Sequence, residues 1–273
     1  MTRASFILLS LALVALIVFL FVSAPPPLPE ENSTAGELIP IETALRVVAQ
    51  EQSTARTLYT REIVGPGQKA GLAFDEKWRE PEVEAGPLPA LFLRETSASL
   101  QRSAVGLGLF LGSDFPIASA NRFSGVQTEH FVTIRETLEP EFFFEEDTGL
   151  YTGMFPDFAS AEPCVTCHNQ HPESPKVDWV LNDLMGATTW SYPKEAVTTD
   201  ELMTMLAALR TAMREAYRAY LEEAASFATP PEIGEQWPVD GYYLPSEEVF
   251  MAELTRRSSA ASLEMIMEAV KAD

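Results

Sequence analysis

An apolar run from Phe6 to Val22, interrupted only by Ser10, follows Arg3 and gives way to Pro25, Pro26 and Pro27. At about 1.5 Å of rise per residue, a helix of this length covers most of a bilayer core. Arg3 on one flank and Glu30 and Glu31 on the other agree with the positive-inside bias. Residues 1–24 therefore read as a membrane anchor. The alternative is a cleaved signal peptide, for which Val22, Ser23 and Ala24 supply small residues, although Pro25 directly behind them disfavours cleavage. The expected location is a single pass through the inner membrane with the main domain in the periplasm, or the periplasm itself if the segment is removed. Residues 25–40, rich in Pro, Glu, Ser and Thr, read as a linker.

From Ile41 the apolar positions change period. Ala44, Leu45, Val47, Val48, Leu58, Ile63 and Val64 return at helical spacing, and Gly65, Pro66 and Gly67 predict its stop. Leu91, Phe92, Leu100 and Val105 predict a second amphipathic helix after the turn at Gly86 to Pro89. Between Gly106 and Pro140 short apolar runs bounded by Gly, Pro, Asn and Ser suit strands, and residues 129–134 have high β-propensity. Residues 141–150 and 187–192 supply further strands. After Pro193 the helical period returns, capped by Thr199 or Asp200, carrying Leu202, Met205, Leu209, Met213 and Tyr217 and ending at Pro230 and Pro231. A last helix starts behind Ser246, with Glu247 and Glu248 in its first turn. Charges interrupt both C-terminal helices too often for membrane spans. The class is α+β: a small antiparallel sheet flanked by helices over residues 41–193, with a helical C-terminal extension over 194–273. The extension's helices are candidate surfaces for a homodimer.

The 273 residues carry a net charge of −21, which repels phosphate backbones and argues against nucleic acid as a partner. The cysteine count narrows the chemistry further. Cys164 and Cys167 are the chain's two cysteines, so no disulfide framework joins distant segments, and what the pair does it does locally.

Cys164, Val165, Thr166, Cys167 and His168 match the Cys-x-x-Cys-His pattern of c-type haem attachment. Two thiols one helical turn apart reach two vinyl groups of one porphyrin and form thioethers, and the next residue delivers its imidazole to the iron as proximal ligand. Three readings compete. A redox dithiol wants a βαβ setting, whereas Asn169, Gln170, His171 and Pro172 are loop-like. A zinc site has few further donors to draw on, since the histidines are His130, His168 and His171. Chance is the third.

The segment from Pro163 through the motif to Pro172, Pro175, Lys176, Asp178 and Trp179, followed by Asn182 to Gly186, resembles the single-haem c-type sensor domain family with a PAS-like fold. That family occurs in exported and membrane-anchored bacterial proteins and was long labelled a domain of unknown function. Gly86 to Glu95 is similar to another of its segments, so the resemblance covers roughly residues 40–193. It implies a five-stranded antiparallel sheet with helices packed on it, one covalently bound haem c at one side, and sensing of redox state or a small ligand. Many relatives continue into a second membrane helix and a cytoplasmic module, and residues 194–273 predict neither, so a signal would leave through a protein partner. In some relatives a cysteine of the first helix is the sixth ligand. The matching region here, Arg46 to Gln50, has none.

The distal candidates are then His130, Met154, His171 and Met185. His171 is too near His168 along the chain to reach the opposite porphyrin face easily, which leaves His130 and Met154 as the stronger pair. Against each stands ordinary packing or hydrogen bonding. Trp179 is a candidate cover for a haem edge, with core packing as the alternative. The acidic stretch over residues 139–147 is either a solvated face or a dock for a basic redox partner. The expected function is a membrane-anchored periplasmic haem c protein of sensor type. The alternative is an electron-transfer cytochrome without a sensory role. No enzymatic activity is expected. A peroxidase would need a positioned acid-base group beside an open iron position, and His130 is its one obvious source.

Overall fold

The structure, a computed structural model, describes Leu13, residues 38–237 and residues 243–272, with side chains detailed up to Ser259. Apart from Leu13, the expected anchor lies outside the described residues, as does most of the linker.

The first helix, α1 (Ile41–Leu58), buries Ile41, Ala44, Leu45, Val48, Ala49, Gln52, Ala55 and Leu58. This is one stripe at three- and four-residue spacing. It does not stop at Gly65, Pro66 and Gly67, as the sequence suggests. A π-helical turn (Tyr59–Val64) carries the chain straight into α2 (Gly65–Lys69), with Pro66 in the first turn of α2. Proline is tolerated there because the preceding wider turn has already broken the regular hydrogen-bond ladder. Tyr59 pins the π-turn: its hydroxyl donates to the Pro87 carbonyl at 2.7 Å, and its ring stacks on Phe92 at 4.6 Å.

The main sheet has four antiparallel strands in the order β4-β7-β6-β5: β4 (Gly108–Gly112), β7 (Leu184–Tyr192), β6 (Leu150–Phe158) and β5 (Glu141–Glu145). That is one strand fewer than the resemblance implies. The short strands β1 (Ile39–Pro40) and β8 (Ala196–Val197) pair with each other, as do β2 (Ala73–Asp75) with β3 (Ala85–Pro87) and β9 (Ile233–Gly234) with β10 (Leu244–Pro245). The pleat divides the sheet's side chains between two cores. Phe155, Phe142, Trp190 and Tyr192 join the larger core beneath α1, α3 (Pro89–Arg102) and α6 (Thr199–Ala224). Met154, Phe143 and Ala187 face the other way, into a small core closed by Phe123, Phe131 and Ile134.

Phe131 and Ile134 belong to a helix, α4 (Val126–Thr137), which overturns the strand expected over residues 129–134. High β-propensity in Phe131, Val132, Thr133 and Ile134 gives way to one-sided burial: Phe131 and Ile134, three apart, are buried, while Val132 between them is 41% exposed. The helix is closed by Leu138 in the left-handed region at φ 60°. Central strand β6 beyond Leu150 was not expected from the sequence, since its glycine and two-sided burial hide the alternation.

Thr198, one residue before the expected caps, caps α6 through a reciprocal capping box with Glu201. This helix ends at Ala224, ahead of Pro230 and Pro231. The last helix, α7 (Glu247–Ala272), follows Ser246, whose hydroxyl accepts from the Val249 N–H at 3.3 Å. Met205, Leu209, Met213, Tyr217, Phe250 and Leu254 of these two helices lie in the same core as α1 and α3. The fold is mixed α+β, and among the described residues no helix is long and apolar enough to cross a membrane.

Candidate functional site

The chain leaves β6 at Phe158 and returns to β7 at Leu184, and backbone bonds close the neck of this excursion: Ala159 N–H to the Asp183 carbonyl at 2.9 Å and Asn182 N–H to the Ala159 carbonyl at 3.0 Å. Inside it sits α5 (Glu162–Gln170), with Pro163 in its first turn, where proline costs no helical bond. Cys164, Cys167 and His168 all lie on this helix. Both thiols are free and half-buried. The helix ends at His171, where the extended chain from Pro172 to Asp183 folds back over it.

That fold-back is held by Asn169. Its side-chain amide donates to the Trp179 carbonyl at 2.9 Å, and its side-chain oxygen accepts from the Trp179 N–H at 2.8 Å. Trp179 is buried with its ring roughly perpendicular to that of His168, centroids 6.4 Å apart, while the Phe115 ring centroid lies 6.3 Å away and the Lys176 ammonium 4.4 Å from the indole centroid. Two nitrogens in this pocket are buried without a partner, His168 Nδ1 and Trp179 Nε1. Burial lowers the His168 pKa against the opposing pull of Asp157, so the imidazole is held neutral, the form that ligates metals. Burial likewise raises the Cys167 thiol, helped by the negative field of Glu76, Cys164 and Asp75.

Beside the N-terminus of α5 opens a cleft of about 660 Å³, within the span of roughly 300–1,000 Å³ usual for small-molecule and cofactor sites. One wall is the polar side of α1 and the π-turn, with Arg46, Gln50, Ser53, Arg56, Thr57 and Arg61. The other is the end of β6 and the neck, with Phe155, Pro156, Asp157, Phe158 and Ala161. Arg56 Nη1 binds Asp157 Oδ1 at 2.6 Å across the cleft. Burial works against the Arg56 charge, and Asp157 and the nearby Cys164 outweigh it, so the guanidinium is held more firmly than usual.

The distal candidates fall elsewhere. His130 stands on α4, its ring stacked on Phe143 at 3.8 Å and its Nδ1 3.1 Å from Glu141 Oε2. Met154 is fully buried in the small core, on the sheet face turned away from α1. His171 has both ring nitrogens engaged, Nε2 with Glu76 Oε2 and Nδ1 accepting from the Glu173 N–H, each at 3.1 Å. Neither Met185 nor any of these three lines the cleft. Sequence reasoning missed the cleft side chains Arg56, Asp157, Gln52 and Thr188. The α1 stripe that carries Arg46, Gln50, Ser53 and Thr57 has the spacing of any solvated helix face, and nothing along the chain marks it as a wall.

Among the described residues no group of three or more His, Cys, Asp or Glu side chains is placed to hold a metal ion directly. The donor set on α5, two free thiols one helical turn apart followed by an imidazole held neutral, has the chemistry that covalent porphyrin attachment needs, while the adjoining cleft is lined by none of these three residues. Searches against family models, curated proteins and solved structures give no match to this chain.

Proposed function

We propose that this chain is a membrane-anchored, exported c-type haem protein with a PAS-like sensory domain, in which the haem reports redox state or a small ligand. The observation that carries the reading is the joint presentation of Cys164, Cys167 and His168 on one short helix beside the Arg56–Asp157 cleft. Strand order β4-β7-β6-β5 with a helix on each face supports the PAS-like part. The apolar run from Phe6 to Val22 supports export and anchoring.

On this reading Cys164 and Cys167 form the two thioether bridges and His168 supplies the proximal nitrogen. When bound, the haem contributes an iron that changes oxidation state and accepts axial ligands. The chain's own residues do the rest. Asn169 fixes the loop that carries Trp179, and Trp179 packs at right angles to the His168 ring. Arg46 and Arg61 supply positive charge to the cleft, where Asp157 is already paired with Arg56. α1 forms one wall of the cleft and also packs against α6 and α7, so it would be the element through which a change at the cleft reaches the C-terminal helices.

A second reading, an electron carrier with no conformational output, is favoured by one feature. Phe115, Val177, Val180 and Leu181 are between 41% and 61% exposed around Trp179, an apolar patch beside the proximal ligand suited to brief docking of a redox partner.

The test is a pyridine haemochrome spectrum of the full-length chain from cells competent in cytochrome c maturation. A c-type spectrum that survives acidified acetone is expected. Colourless protein, or pigment extracted by the acid, defeats the proposal. Rapid carbon monoxide binding to the reduced protein then counts for the sensor and against the carrier.

A further inference from the structure

We infer that the cleft between α1 and the end of β6 is a binding site of its own, separate from the haem, for a small organic anion that carries a carboxylate on a flat apolar body.

The first observation separates the cleft from the attachment residues. None of Cys164, Cys167 and His168 lines it, although Ser160 and Ala161, just ahead of α5, do. A cavity of about 660 Å³ is therefore left over once the attachment helix is accounted for, and that volume suits a small organic molecule. The inference stands whether or not a haem is attached.

The second observation is the charge of the helical wall. Arg46, Arg56 and Arg61 line the cleft against one carboxylate, Asp157. Arg56 gives that carboxylate a single hydrogen bond, from Nη1 to Oδ1, and its other guanidinium donors have no partner among the described residues. Arg46 and Arg61 form no ion pair among the described residues. The Arg46 guanidinium lies over the Phe142 ring, 4.5 Å from its centroid, a contact that positions the charge without neutralising it. On a chain of net charge −21, a concave surface with this local excess of cation attracts an anion.

The third observation describes the rest of the ligand. Across from the arginines stand Pro140, Phe155, Pro156 and Phe158, each only partly buried. Phosphate or sulfate alone would leave this apolar wall uncovered. A molecule with a flat hydrocarbon face covers it, and a carboxylate on the other side presents two coplanar oxygens to the planar fork of a guanidinium.

The probe is naphthoate, measured by equilibrium dialysis against the full-length chain in detergent, with naphthamide as its neutral counterpart. Saturable binding of naphthoate is expected, roughly tenfold or more tighter than naphthamide and weakened by added salt. Arg46→Gln and Arg61→Gln should each weaken it roughly threefold to tenfold, the range for one charged hydrogen bond. Ser53→Trp, which fills the cleft from an exposed position of α1, should abolish saturable binding. Arg94→Gln, at an exposed arginine of α3 outside the cleft, should leave it unchanged. Equal affinity for the amide overturns the inference, as does wild-type affinity in both cleft arginine variants or the absence of saturable binding. The same dialysis on chain produced with and without cytochrome c maturation separates the two sites, and naphthoate should bind both preparations alike. Binding lost only when haem is attached would assign the cleft to the haem and overturn this inference. Absence of attached haem would defeat the haem reading alone, since the anion site is measured without it.

Discussion

Arg56 on α1 and Asp157 at the end of β6 form an ion pair of 2.6 Å that ties the helix wall of the cleft to the strand from which the Cys-x-x-Cys-His helix departs. Both side chains are about four-fifths covered, at 22% and 23% exposure. Such a pair is worth more than a surface bridge and leaves a costly unpaired charge when broken. Arg56→Ala and Asp157→Ala should each lower unfolding stability by about 1–2 kcal/mol. The double variant should lose less than their sum, with a coupling of about 1 kcal/mol in urea titrations. Strict additivity would mean the pair contributes nothing as a pair.

Leu138 ends α4 at φ 60°, a conformation that costs a branched side chain about 1–2 kcal/mol. Its side chain is 52% exposed, so little packing is lost on its removal. Leu138→Gly should therefore stabilise the protein by about 0.5–1 kcal/mol, after allowing for the greater freedom of glycine in the unfolded chain. A lower thermal midpoint in the glycine variant would contradict this account of the cap.

The same helix shows where the sequence ran out. Residues 126–137 contain β-branched and aromatic residues suited to a strand, and only the position of Phe131 and Ile134 above Met154 makes the helix the better burial. That contact is long-range and leaves no local trace. The helices with one continuous apolar stripe, α1, α3 and α6, were legible to within a few residues, because their stripes state both period and facing. For the candidate site the division is similar. Cys164, Cys167 and His168 are adjacent in sequence, so their spacing is their signal. The cleft is assembled from α1, the π-turn, β6 and β7, and its side chains are ordinary Arg, Gln, Ser and Thr until the fold brings them together. His130 illustrates the converse, a histidine plausible in isolation that the fold commits to Glu141 and Phe143.

Glu247, in the first turn of α7, receives Arg214 at 2.8 Å and Arg218 at 2.6 Å, which hold its carboxyl down at about 2. A depressed carboxyl pKa adds stability in full above the unfolded value of roughly 4.3, and that stability fades as pH falls from there toward the folded value. Urea midpoints of the wild-type chain should therefore drop between about pH 5 and pH 2, with Glu253, also held at about 2 by Arg256 and Arg257, contributing in the same window. Glu247→Gln should be less stable than wild type at neutral pH, and its midpoint should fall less over that interval. Both arginines are well exposed, so added salt should shrink the difference.

Asn169 spends both ends of its amide on the backbone of Trp179, ten residues away, at 2.9 and 2.8 Å. No other side chain could do this at that position, since aspartate lacks the donor and glutamine is one methylene too long for the same fit. The two bonds close the loop over residues 171–178 and set the indole edge against the His168 ring. Asn169→Asp keeps the acceptor and loses the donor, leaving the Trp179 carbonyl unpaired beside a carboxylate, whereas Asn169→Ala loses both bonds. The expected order of stability is wild type, then Asp, then Ala, with the alanine variant down by about 1–3 kcal/mol. The loss should be local before it is global: amide hydrogen exchange should speed up across residues 171–181 while the β6 and β7 amides keep their protection. Equal loss of protection in the sheet would show that the loop and the core open as one unit. The clip would then belong to the fold as a whole and would not serve specifically to hold Trp179 against the proximal histidine.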